Sequence, residues 1–220
     1  MFSDARPRLI YAVFHSKTIQ PEPSCTTSGE EVVERTLIAN AKRGDATAFE
    51  ALLTRHQSLV LRVATRLLVN SDDARDAAQE VFLRLYKYLH RFDETRPLSP
   101  WLYQMTVNVC RDLTRKRPAV PNLSLESDDA ERAFRIAGTQ STPEQEFHAA
   151  EERALLERAL ASLGDKERAA VVLRDIEGLD TKEVAKLLGS SETTVRSQIS
   201  VARVKLKKFR DAVLKGGNCA

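Results

Sequence analysis

The chain has 220 residues, 42% hydrophobic and 30% charged, and its 34 Lys and Arg against 31 Asp and Glu leave a net charge of +3. That balance supports a packed core and excludes a disordered chain, while eight Gly and eight Pro exclude a collagen-like or low-complexity polymer. No apolar run nears the roughly 18 residues that a membrane-spanning helix needs, so no membrane insertion is expected.

Charge is unevenly distributed: residues 1–35 carry a net −1, residues 36–117 +5, residues 118–150 −4 and residues 151–220 +3. Two basic blocks thus flank an acidic one. The first 35 residues, with Pro21, Pro23, Ser24, Thr26 and Thr27, read as a tail. Its apolar residues 9–14 follow Arg6 and Arg8 in the charge order of a secretory signal, but the run is too short, and His15 and Lys17 end it. Cys25, Cys110 and Cys219 are odd in number and far apart, which fits neither a disulfide framework nor a Cys-x-x-Cys metal set. A reducing, cytoplasmic setting follows, with no metal and no cofactor.

In the first basic block, Ala48, Phe49, Leu52 and Leu53 precede Leu59, Val60, Val63, Leu67 and Leu68 at the three-and-four spacing of helical stripes. A third helix follows Ser71 as N-cap, with Ala74, Ala77, Ala78, Val81, Leu85, Tyr88 and Leu89 inward. Its other face carries Asp73, Asp76, Glu80, Leu83, Arg84 and Lys87. Leu83 stands out, because an apolar residue among charges suits a partner surface. A fourth helix is expected from Pro100, after Ser99. Trp101, Met105, Val109 and Leu113 recur every fourth residue and pack inward, leaving Asn108, Arg111 and Arg115 outside. Cys110 reads as a small buried hydrophobe rather than a redox group.

The acidic stretch has Pro118, Pro121, Asn122 and the carboxylates Glu126, Asp128, Asp129 and Glu131, a linker composition. Beyond it, Asp180 and Glu183 have capping-box spacing, and Val184, Ala185, Leu187 and Leu188 form an amphipathic helix that ends at Gly189. A second helix from about Ser191 completes a helix-turn-helix. Winding it places Val195, Ile199, Ala202 and Leu206 in one sector. Arg196, Ser197, Ser200, Arg203, Val204 and Lys207 face the other way, where Lys and Arg can neutralise phosphates and Arg196 can read a guanine edge. Val201 and Val204 suit either thymine methyl groups or a protein interface. The fold class is therefore all-α, two small helical domains joined by a flexible linker.

The run Leu179, Thr181, Val184, Ala185, Leu188, Gly189, Thr194, Val195, Arg196, Ser197, Ala202 and Arg203 resembles region 4 of the extracytoplasmic-function (ECF) sigma factors of bacterial RNA polymerase. Asp73 to Leu85 resembles sigma region 2.2, and Arg91 to Arg117 regions 2.3 and 2.4. The resemblance implies a tail over residues 1–35, region 2 over 36–117, a linker over 118–145, region 4 over 146–213 and a short tail over 214–220. It implies that Asp73, Asp76, Gln79, Glu80, Leu83, Arg84 and Lys87 bind core polymerase through the beta-prime clamp helices, with the beta flap as a second contact. Asn108, Arg111, Asp112, Arg115, Lys116 and Arg117, with the loop at residues 91–100, would engage the minus-ten promoter element and trap an extruded base. Thr194, Arg196, Ser197, Gln198, Ser200, Arg203 and Lys207 would read the minus-thirty-five element. Core RNA polymerase and promoter DNA are the implied partners, and an anti-sigma factor is a further candidate.

Two rivals remain. A stand-alone DNA-binding regulator would use neither the region 2.2 face nor a melting loop. A nucleic-acid enzyme would need convergent carboxylates, a metal set or a nucleophile with its base, and His15, His56, His90 and His148 are scattered without such partners.

Overall fold

The computed structural model describes residues 28–116 and 143–216. Most of the stretch read as an N-terminal tail, nearly all of the acidic linker, Arg117, Cys25 and Cys219 lie outside the described residues. The chain divides into two compact units. Every regular element among the described residues is helical.

The N-terminal unit contains α1 (Ser28–Lys42), α2 (Ala46–Leu68), α3 (Ser71–Tyr88) and α4 (Leu98–Lys116). Helix α1 starts inside the segment read as tail; Glu34, Leu37, Ile38 and Ala41 give it an inward stripe, and Ile38 is fully buried. Asp45 caps α2 by accepting from Thr47 N at 2.9 Å and Ala48 N at 3.2 Å. The Thr47 hydroxyl also donates to it at 2.7 Å, and this bond, ahead of the two backbone ones, holds the carboxyl below the ordinary range.

The two stripes at residues 48–53 and 59–68 belong to one continuous helix, because residues 54–58 contain no breaker and buried His56 carries the stripe across them. Val69, at φ 60°, ends that helix in the left-handed region, a conformation that costs a β-branched residue about 1–2 kcal/mol. Immediately after it, Asn70 rather than Ser71 is the N-cap of α3. Its amide oxygen accepts from Asp72 N at 2.9 Å and Asp73 N at 3.0 Å, which leaves Ser71 as the first helical residue.

Helix α4 begins at Leu98, two residues ahead of Pro100. Pro100 is tolerated in the first turn because its missing N–H has no intrahelical acceptor there. Leu52, Val60, Val81, Leu85, Leu98 and Leu102 meet in the core. Met105 and Val109 pack inward as the spacing predicts, whereas Trp101 and Leu113 stay half-buried at the margin.

Cys110 is buried, and burial pushes its thiol up to about 12. Since the thiolate is the nucleophile, Cys110 is expected to resist iodoacetamide at pH 8 in the folded chain and to react once the chain unfolds. Peptide mapping that found Cys110 alkylated in the folded protein would contradict this placement.

The C-terminal unit contains α5 (Pro143–Ala161), α6 (Asp165–Val171), α7 (Thr181–Leu188) and α8 (Glu192–Gly216). At the α5–α6 turn, Arg168 donates to Leu160 O and Leu163 O, both at 2.9 Å, satisfying one carbonyl at the end of α5 and one in the turn itself. Helix α6 widens at Val172–Ile176 into a π-helical turn, with Glu177 N donating to Val172 O at 2.9 Å. The widened turn buries Asp175 under α8.

Candidate nucleic-acid interface

Helix α7 is capped reciprocally: Glu183 N donates to Asp180 Oδ1 at 2.7 Å and Asp180 N to Glu183 Oε2 at 3.0 Å. It ends in a Schellman turn, with Ser190 N donating to Ala185 O at 3.0 Å and Gly189 N to Lys186 O at 3.3 Å. Gly189 sits at φ 60°, where a side chain is strained. Ser191 then caps α8 by accepting from Thr194 N at 3.1 Å. This tight connection seats α8 across α7 and α6 through buried Val195, Ile199, Ala202 and Leu206.

The predicted outer residues of α8 divide by what they touch. Arg196, Ser197, Ser200 and Lys207 are exposed and Gln198 is half-buried. Among the described residues Arg196 pairs with Glu192, at 2.9 Å within its own helix, and its exposed guanidinium can exchange that contact for a base or phosphate. The Thr194 hydroxyl lies 2.8 Å from the Ser191 hydroxyl and belongs to the cap.

Arg203 differs from the rest. Its Nε and Nη2 donate to the two oxygens of Asp175 at 2.9 and 2.8 Å, a bidentate pair that keeps the guanidinium charged and fixes α8 on the widened turn. Lys205 similarly ties α8 to Glu167 at 2.8 Å. That bond leads the causes that hold the Glu167 carboxyl below its ordinary value. Asp175, Glu167 and Lys205 were absent from the expected site, because their pairings span 28 and 38 residues and leave no local pattern. Val201 and Val204 lie on the open side of α8, 43% and 55% exposed.

In the N-terminal unit, α3 presents Asp76, Gln79, Leu83 and Lys87 to solvent, with Asp73, Glu80 and Arg84 half-buried beside them. Leu83 is 58% exposed. Tyr86, which the sequence reading passed over, is 71% exposed and packs edge-on against Phe49 at 5.2 Å. Its three-residue spacing from Leu83 was the available signal.

Helix α4 presents Asn108, Arg111, Asp112, Arg115 and Lys116 on one exposed face. Two expected sites meet here. Arg84 donates to Glu80 at 2.7 Å and lies 3.7 Å from Asp112, so the outer faces of α3 and α4 share an ion-pair network.

A 3-10 turn at Leu89–Arg91 leads into the loop before α4. Phe92 turns inward and stacks on Trp101 with ring centroids 4.9 Å apart. Trp101 is therefore partly committed to packing. Arg91, Thr95, Arg96 and Pro97 project outward.

The C-terminal unit thus holds a helix-turn-helix, and the N-terminal unit carries a polar face beside an exposed leucine. Comparison with known proteins places the chain further. The family models for sigma-70 region 2 and sigma-70 region 4 match residues 52–119 and 153–206. An ECF RNA polymerase sigma factor of Mycolicibacterium smegmatis, SigE, is 34% identical over 191 residues, covering 86% of this chain and 70% of the relative. The RNA polymerase sigma factor CnrH of Cupriavidus metallidurans is 33% identical over 184 residues, covering 83% and 96%.

Among solved structures, CnrH in complex with the cytosolic domain of CnrY aligns with TM-score 0.57 at 29% identity, over 82% of this chain and 98% of that one. The sigma factor RpoE of Bartonella quintana, solved with the anti-sigma factor NepR, shares the fold at TM-score 0.54 and 20% identity, over 74% and 96%. The chain belongs to the sigma-70 family and is an ECF sigma factor, which directs RNA polymerase to begin transcription at promoters.

Among the described residues, no group of three His, Cys, Asp or Glu is placed to hold a metal ion. No described helix is long and apolar enough to cross a membrane.

Proposed function

We propose that the two units divide promoter recognition between them on one polymerase. The α3 face around Leu83 docks on the beta-prime clamp helices, and the C-terminal unit rests on the beta flap. Helix α8 enters the minus-thirty-five element through Arg196, Ser197 and Ser200, with Lys207 on phosphate. The α4 face and the loop at residues 91–100 take the minus-ten element, where an extruded base costs a few kcal/mol that the loop and a basic surface must offset. The protein performs no catalysis of its own and acts inside the cell beside the polymerase.

The single observation that carries this reading is Leu83, 58% exposed among charged neighbours on α3. A stand-alone regulator has no use for it. CnrH, solved with the cytosolic domain of CnrY, supports a protein partner for this chain as well. An anti-sigma factor covering Val201 and Val204 is part of the proposal.

Two substitutions test the division of labour. Asn108→Ala is expected to impair promoter opening while core binding stays near wild type; equal losses in the two assays would count against an α4 role at the minus-ten element. Arg196→Ala is expected to cost about 1–3 kcal/mol of upstream-element affinity and to relax selectivity at one base. Uniform weakening across sequences would instead mark a phosphate contact.

A further inference from the structure

We propose that α1 braces the base-capturing loop: Lys42 holds the loop's start and Glu34 its end, so that both position it for promoter opening without touching DNA. The inference rests on the proposed minus-ten role of the loop. Lys42 Nζ donates to Phe92 O at 2.7 Å and to Glu94 Oε1 at 2.8 Å. Eight residues back on the same helix, Glu34 Oε1 accepts from Leu98 N at 3.3 Å. That N–H is one of the donors that α4 cannot satisfy within itself.

Eight helical residues set the two anchors about 12 Å apart. Six residues of chain from 92 to 98 could extend to about 20 Å, so the helix imposes a compact loop. Inside it, Asp93 Oδ1 accepts from Thr95 N at 3.0 Å and from the Thr95 hydroxyl at 2.7 Å. Phe92 is pinned on Trp101. The backbone is thereby fixed from within and from α1, and the outward side chains remain available.

Glu34 has basic side chains beside it. Arg55 Nε lies 3.4 Å and His56 Nε2 3.6 Å from its Oε2. The His56 ring, with the Leu98 N–H and Arg55, keeps its carboxyl below the ordinary range despite burial. The Lys42 and Glu34 side chains are only 20% and 18% exposed, so solvent screens these contacts less than those of a surface pair. A preformed loop spares the ordering cost when the base arrives. Helix α1 also precedes the stretch matched to sigma-70 region 2, residues 52–119, so a match to that region does not extend to these two residues.

The test uses the full chain assembled with core polymerase, on duplex promoter DNA carrying 2-aminopurine in the non-template strand of the minus-ten element. Lys42→Met and Glu34→Ala are each expected to slow opening by about tenfold, or about 1.4 kcal/mol of barrier, with core affinity unchanged. Lys42→Arg, which retains the charge and donors, should recover most of the rate. Wild-type opening in both α1 variants, beside a loss in a Thr95→Gly/Arg96→Ala loop variant, would overturn the brace and leave the loop reading intact. Wild-type opening in the loop variant as well would overturn both. Parallel losses of opening and core binding in the α1 variants would mark a general fold defect and also overturn the brace.

Discussion

Arg203→Ala is expected to lower the stability of the C-terminal unit by about 2 kcal/mol, between the under 1 kcal/mol of an exposed pair and the 3–5 kcal/mol of a buried one. The reason is asymmetric burial. Asp175 is nearly buried under α8 while Arg203 is about half exposed, so the substitution strands a carboxylate that water reaches poorly. Faster amide hydrogen exchange should appear in α6, α7 and α8 while α2 and α4 keep their protection. Replacing the pair together, Asp175→Leu with Arg203→Met, should recover most of the stability, since an apolar pair of similar volume removes the stranded charge. A fully stable Arg203→Ala chain that simply binds DNA less well would show that the residue serves the nucleic acid and not the fold.

Leu83→Glu is expected to weaken binding to core polymerase by about ten- to a hundredfold. Burial of a leucine contributes about 1.5–3 kcal/mol, and a carboxylate left at an apolar contact adds a desolvation cost. The folded chain should be unaffected, because Leu83 is 58% exposed and lies outside the core of its unit. Lys87→Ala, on the same face but with its ammonium over the Tyr88 ring at 5.4 Å, should have a smaller effect. Unchanged polymerase affinity in Leu83→Glu would move the docking surface off α3.

What the sequence disclosed and what it withheld follow from the range of each interaction. Helix type and inward faces depend on spacings of three and four residues, so the all-α architecture, the Asp180–Glu183 cap, the Gly189 stop and the buried seam of α8 were legible. Competition between neighbouring caps was less so. Ser71 and Asn70 are both good N-caps, and only the backbone geometry decides that Asn70 is used. Proline and serine between residues 21 and 28 masked the onset of α1, whose inward stripe starts only at Glu34. Least legible were the contacts that fix the proposed surfaces: Asp175 with Arg203, Glu167 with Lys205, and Lys42 and Glu34 with the loop before α4. These partners lie 28 to 64 residues apart. Arg203 illustrates the consequence, since the helical wheel shows its outward position but not the Asp175 carboxylate that it holds.

The most direct measurement is transcription in vitro with the purified chain and core RNA polymerase on a genomic template, with the RNA 5′ ends sequenced. Discrete start sites should appear only when both components are present, share upstream and downstream elements at a fixed spacing, and vanish with Leu83→Glu. Failure of the chain to associate with core polymerase at any salt concentration, or start sites identical with and without it, would contradict the account.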